Sequence, residues 1–155
     1  MQGNPKIIEA MNVILRSELA AINQYMVHSE MCDNWGYKDL AELFEKRARD
    51  EMKHAEKIIA RIIFLEGKPV VNLLDPINIG EDVEDMHLND HKAEETAIVA
   101  YNVAIQLALD LKDNGSRELF DANLAEEEGH IDTIEAHLTQ IEQVGFKFYL
   151  MEQIP

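Results

Sequence analysis

Three ionisable residues, Glu18, Glu51 and His54, return 76 positions later as Glu94, Glu127 and His130. Their apolar neighbours return with them: Ala21 as Ala97, Ile22 as Ile98, Tyr25 as Tyr101, Leu43 as Leu119 and Phe44 as Phe120. Ligand-type and core-type residues that repeat together describe one supersecondary unit used twice. Because Glu51 and His54, and again Glu127 and His130, stand three positions apart, each pair projects to one side of a helix. The unit is therefore a helical hairpin. Two such hairpins facing each other would bring all six side chains to one level of a core.

Four stripes with steps of three and four residues carry this pattern. The first runs Ile8, Met11, Leu15, Glu18, Ile22, Tyr25; the second Leu40, Phe44, Arg47, Glu51, His54, Ile58, Ile62, Leu65. The third runs Val83, His87, Asp90, Glu94, Ala97, Tyr101, Ala104, Ala108, Leu111; the fourth Phe120, Asn123, Glu127, His130, Ile134, Leu138, Ile141. Caps and breakers (Asn4-Pro5, Gly36, Gly67 with Pro69, Asn114-Gly115 with Ser116 as a cap, Gly145) predict helices over about 5–34, 38–65, 82–112 and 116–144, with a short one at 146–152. Residues 67–81 have no helical period and are long enough to cross the length of a bundle. The fold expected is all-α, one four-helix domain over 1–155.

A net charge of −16 excludes a direct nucleic-acid or anionic-membrane binder, since phosphates would be repelled. The single cysteine, Cys32, allows no intramolecular disulfide and reads as a packing residue at the end of the first helix. The N-terminus has no signal-peptide pattern, and no apolar run approaches the roughly 20 residues that span a bilayer. A cytoplasmic location is expected.

Each stripe faces a core yet carries an ionisable residue near its middle. A buried carboxylate costs several kcal/mol unless paired or bound to a metal. Four of them at one level would repel each other without cations between them. Two divalent metals, each given a terminal Glu and a His and bridged by two further Glu, balance that charge, as in ferritin-like dinuclear bundles. Carboxylate plus imidazole accepts Fe(II), Mn(II) or Zn(II). A dinuclear peroxidase or catalase and a non-enzymatic shell protein are the competing classes. One cysteine cannot build the paired Cys-x-x-Cys iron site of a rubrerythrin.

Ser17-Glu18-Leu19, Ala21-Ile22-Asn23-Gln24-Tyr25, Asp50-Glu51-Met52-Lys53-His54-Ala55, Leu65-Glu66-Gly67, Ile79-Gly80-Glu81-Asp82 and Glu127-Glu128-Gly129-His130-Ile131-Asp132 resemble bacterioferritin over nearly the whole chain. The resemblance implies Glu18 and His54 on one iron, Glu94 and His130 on the other, and Glu51 and Glu127 bridging. It implies Fe(II) oxidation with O2 or peroxide, and ferric mineral stored in a hollow shell of 24 identical chains. It also implies b-type or related haem shared across two-fold dimers with Met52 as axial ligand, and release of iron with electrons from a small iron–sulfur ferredoxin. Met52 falls about 100° around the helix from Glu51 and so points away from the dinuclear level.

Two positions depart from the family. Lys46 stands where some members have a His near Asp50, which puts an extra inner-wall iron site in doubt. Thr133 stands where many have an aromatic, so an electron route through that ring is absent. Tyr25, on the face of Glu18, reads equally as a hydrogen-bonding or redox neighbour of the site and as a core residue. His28, His87, His91 and His137 read as surface or interface residues.

Overall fold

Asn4 begins the first helix: its side-chain oxygen accepts the Lys6 N–H at 2.9 Å, with Pro5 in the first turn. In the computed structural model, which describes residues 1–155, this helix, α1, spans Pro5–Trp35 and ends at Gly36, whose φ of 85° is the left-handed conformation that favours glycine. The others are α2 (Lys38–Phe64), α3 (Val83–Asp110), α4 (Asn114–Val144) and α5 (Phe146–Met151), with no strand. The expected four-helix bundle with a short C-terminal helix is what the chain forms.

The start of α4 differs from expectation. Asp113, not Ser116, is its cap: the carboxylate accepts Ser116 N–H at 3.0 Å and Ser116 Oγ at 2.7 Å, so Asn114 and Gly115 are already helical. Asp113 also pairs with Arg61 at 3.1 Å. A Cβ on Gly115 would lie 2.6 Å from Arg61 Nη2, so a larger residue there would make the guanidinium shift.

The backbone contacts fix the directions of the helices. Gly3 N–H meets Leu65 O at 2.9 Å, which sets the end of α2 beside the start of α1; the two are antiparallel. The connection from α2 to α3 then climbs along α1. Val70 N–H donates to Asn12, Asp75 N–H to the Arg16 carbonyl, Asn78 N–H to Gln24, and Gly80 N–H to His28 Nε2 at 3.0 Å. It therefore delivers α3 to the far end of the bundle, parallel to α2 and antiparallel to α1, and α4 returns beside α2. Gly80 is required where the connection reaches α3, because a Cβ there would lie 2.3 Å from Met86 N.

Two apolar clusters fill the interior. One holds Ile7, Met11, Ile58, Ile62, Tyr101 and Phe120; the other Tyr25, Cys32, Leu40, Phe44, Met86 and Tyr149. All eight positions of the second stripe are buried, including Arg47, Glu51 and His54. The polar level lies between the two clusters.

Candidate metal centre

All six sequence-predicted residues converge, and all are buried. α1 supplies Glu18, α2 Glu51 and His54, α3 Glu94, and α4 Glu127 and His130. They form two groups of four, Glu18/Glu51/His54/Glu127 and Glu51/Glu94/Glu127/His130, whose ligand-type atoms lie within 4.8 Å of one another in each group. Glu51 and Glu127 belong to both. Around His54 Nδ1 stand Glu127 Oε1 at 2.9 Å, Glu18 Oε2 at 3.4 Å and Glu51 Oε2 at 3.4 Å. Around His130 Nδ1 stand Glu51 Oε1 at 2.9 Å, Glu94 Oε1 at 3.3 Å and Glu127 Oε2 at 3.4 Å.

Of these approaches only that of His54 Nδ1 to Glu127 Oε1 has hydrogen-bond geometry. Glu18 Oε2, Glu51 Oε1, Glu94 Oε2, Glu127 Oε2 and His130 Nδ1 are buried with no hydrogen-bond partner. Four carboxylates crowded around two imidazole nitrogens in a dry interior, with most of the facing atoms unpartnered, are the donor set that a pair of divalent cations satisfies.

The protonation of the cluster reflects the same crowding. Burial, then repulsion from Glu51, raises Glu18 well above the ordinary carboxyl range. Burial, then Glu51, Glu18 and Glu94, does the same to Glu127. Glu51 goes the other way: burial would raise it, but the neighbouring Glu18 carboxyl and the His130 and His54 imidazoles hold it ionised. Burial would lower His130, but Glu127, Glu51 and Glu94 outweigh it and push it up to about 12.

A second layer orients the six. His130 Nε2 lies 3.1 Å from Asp50 Oδ2, and His54 Nε2 lies 3.0 Å from Glu126 Oε2. Tyr101 donates to Glu18 Oε1 at 2.8 Å, and Tyr25 donates to Glu94 Oε1. Each tyrosine thus fixes one oxygen of Glu18 or Glu94 and leaves the other without a hydrogen-bond partner. Asp50 and Glu126 are also 76 positions apart, the signal that would have found them.

Residues 8–144 match the family model for the ferritin-like domain. The chain is 40% identical to the bacterioferritin of Brucella melitensis over 149 residues, covering 96% of this chain and 92% of that one. It is 39% identical to the bacterioferritin of Rhodobacter capsulatus, covering 94% and 90% of the two chains. It is 39% identical to that of Streptomyces coelicolor, covering 97% and 90%.

The chain belongs to the bacterioferritin family.

Set against that family, Met52 lies outside the cluster, 44% exposed on the outer side of α2. Lys46, at the departing position, occupies Asp50 Oδ2 at 2.9 Å. Tyr25 is both core and site neighbour: its ring is buried near Phe44 and its hydroxyl bonds Glu94.

His28 and His87 are not surface residues; both are fully buried. His28 accepts from Gly80 at Nε2, so Nδ1 carries the proton and faces Asp90 Oδ1 at 3.0 Å, while Gln24 donates to Asp90 at 2.8 Å. This trio ties the connection to α1 and α3. His87 sits 2.9 Å from the Tyr149 hydroxyl, which lies 2.8 Å from His137, and so docks α5. Both histidines continue their apolar stripes, Tyr25–His28–Cys32 and Val83–His87–Asp90, and that periodicity marks them as internal. No helix is long and apolar enough to cross a membrane.

Proposed function

We propose that this bacterioferritin-family chain stores iron, oxidising Fe(II) at a dinuclear centre and depositing ferric mineral in a hollow shell of 24 chains. One observation carries the reading: two buried four-residue groups that share Glu51 and Glu127, with carboxylate oxygens and an imidazole nitrogen lacking any protein donor or acceptor. Two Fe(II) substrate ions would each lose one electron to O2 or hydrogen peroxide.

The chain's own residues do the rest. Glu51 and Glu127, which belong to both groups, would be shared by the two ions. Glu18 with His54, and Glu94 with His130, complete one position each. Asp50 and Glu126 accept the outer Nε2–H of the two imidazoles, which fixes the tautomer that presents Nδ1 inward and strengthens it as a ligand. Tyr101 and Tyr25 hold Glu18 and Glu94 in place. Hard ferric ions prefer oxygen ligands, and the −16 charge of each chain suits a cavity that gathers cations.

Met52 fits a haem ligand. It is an exposed thioether, and one from each of two symmetry-related chains would meet at an isologous contact. Haem there would pass electrons inward for release, from a small iron–sulfur ferredoxin. The test of the centre is rapid-mixing oxidation of Fe(II) by the wild-type chain and by Glu18→Ala and His130→Ala. Both variants should lose the fast phase with the shell still assembled. Fast oxidation by either variant at the wild-type rate refutes the assignment.

A further inference from the structure

The repeat that places the six ligands breaks at two adjacent positions beside them. Lys46 and Arg47 correspond, 76 residues on, to Ala122 and Asn123. Two cations on one half of a near-symmetric centre thus face a methyl and a neutral amide on the other.

Arg47 is 2% exposed, and neither Nη atom has a hydrogen-bond partner. A buried guanidinium without a carboxylate is costly and its field is poorly screened. Its Cζ lies 5.8 Å from the ring centroids of both Tyr25 and Phe44. Tyr25 donates to Glu94. In the other half, Asn123 donates at 3.1 Å to the Tyr101 hydroxyl, which donates to Glu18. The two tyrosines occupy equivalent places, one beside a full positive charge and one beside an amide.

Lys46 adds to the same side. Its Nζ lies 2.9 Å from Asp50 Oδ2, the atom 3.1 Å from His130 Nε2. Glu126, which plays Asp50's part for His54, pairs with no lysine or arginine.

Both cations therefore act, each through one intermediate, on Glu94 and His130, the two side chains particular to one position. The guanidinium beside Tyr25 makes its O–H a stronger donor and draws electron density from Glu94. The ammonium offsets the charge of Asp50 and weakens the pull that makes His130 a strong ligand. The two cations act with the same sign. The Asn123 amide, which likewise strengthens Tyr101 as a donor to Glu18, opposes them with a neutral dipole in place of a charge. We propose that Arg47, assisted by Lys46, makes the Glu94/His130 position the weaker of the two metal positions, the second to fill and the first to empty. This rests on the dinuclear reading above. Arg47, being buried, dominates; Lys46 is 72% exposed on its side chain and screened by solvent.

The test is titration of the metal-free, full-length protein with Co(II), followed by visible absorption in competition with a chelator. The wild-type chain should fill in two steps separated by about 10-fold or more in affinity, the scale of one buried charge close to an ion. Glu94→Ala should lose the weaker step and Glu18→Ala the tighter one. Arg47→Gln and Arg47→Met should bring the steps to within about 3-fold of each other, while Lys46→Ala narrows the gap less. Loss of the tighter step in Glu94→Ala overturns the proposal, as does wild-type spacing in a folded Arg47 variant. If neither Arg47 variant folds, the order of loss in Glu18→Ala and Glu94→Ala decides. Two wild-type steps of equal affinity overturn this inference alone. A wild-type chain that binds no pair of cobalt ions overturns the dinuclear reading with it.

Discussion

Asp50 Oδ2 stands 3.1 Å from His130 Nε2, on the side of the imidazole away from Glu51 and Glu94. Glu126 stands in the same relation to His54 at 3.0 Å. Outer carboxylates of this kind set the tautomer and basicity of a ligand histidine. Asp50→Ala and Glu126→Ala should each weaken binding of one Co(II) ion by about 10–100-fold while all six ligands remain. Chelator competition measures it. Unchanged affinity in both variants would show that the inner cluster positions its own histidines.

The metal-free protein should lose stability as pH rises from 6.5 to 8.5. Burial opposes charge on His54 and His130, but the surrounding carboxylates outweigh it and raise both above the ordinary imidazole range. The folded chain then keeps protons that the unfolded chain releases near pH 6.5, so this contribution is complete below about 6.5 and declines as pH climbs toward the folded values. Glu18 and Glu127, raised by burial and then by Glu51, add the same sign above about pH 4.5. Each imidazole contributes a slope of at most about 1.4 kcal/mol per pH unit, enough to move Tm by several degrees. Metal must displace these protons. Loading with Zn(II) at pH 7 should release at least the two imidazole protons per chain, seen as a buffer-dependent binding enthalpy. A Tm that rises over this interval, or loading without proton release, contradicts the electrostatics described.

Much of this was legible because the interior is periodic. Steps of three and four residues located the four long helices, and the 76-residue interval picked out Glu18, Glu51, His54, Glu94, Glu127 and His130. Asp50 and Glu126 obey the same interval, but each sits beside a ligand-type Glu on an acidic chain, and only that shared spacing sets them apart from ordinary surface acids. Asp113 and Ser116 are both cap-type residues three positions apart; Asp113 takes the cap and also pairs with Arg61, 52 residues away in sequence. His28 and His87 fall on the periodic stripes, but the groups that satisfy their polar rings, Gly80 and Tyr149, lie in a connection and a tail that have no period of their own.

Gly80→Ala should destabilise the fold by about 1–3 kcal/mol, since the new Cβ would sit 2.3 Å from the Met86 backbone nitrogen and force the connection off α3. Denaturant unfolding measures the loss, and hydrogen exchange should show it concentrated over residues 76–86. Wild-type stability would mean that this close approach relaxes without cost.

Met52→Leu should yield haem-free protein with Fe(II) oxidation intact, because position 52 lies on the exposed side of α2, away from the cluster. Met52→His should retain haem with an altered visible spectrum, imidazole being a different axial donor from a thioether. Wild-type haem content in the leucine variant would exclude this ligand.

The buried cluster is proposed to feed a closed iron store. The most direct measurement is particle mass and iron content after Fe(II) is added in air, in large excess over the six-ligand sites. A shell of 24 chains of 17.7 kDa has a protein mass of about 425 kDa and should gain a dense iron core, with no precipitate outside it. A particle that stays a dimer, or iron that precipitates in solution while the protein gains none, would contradict it.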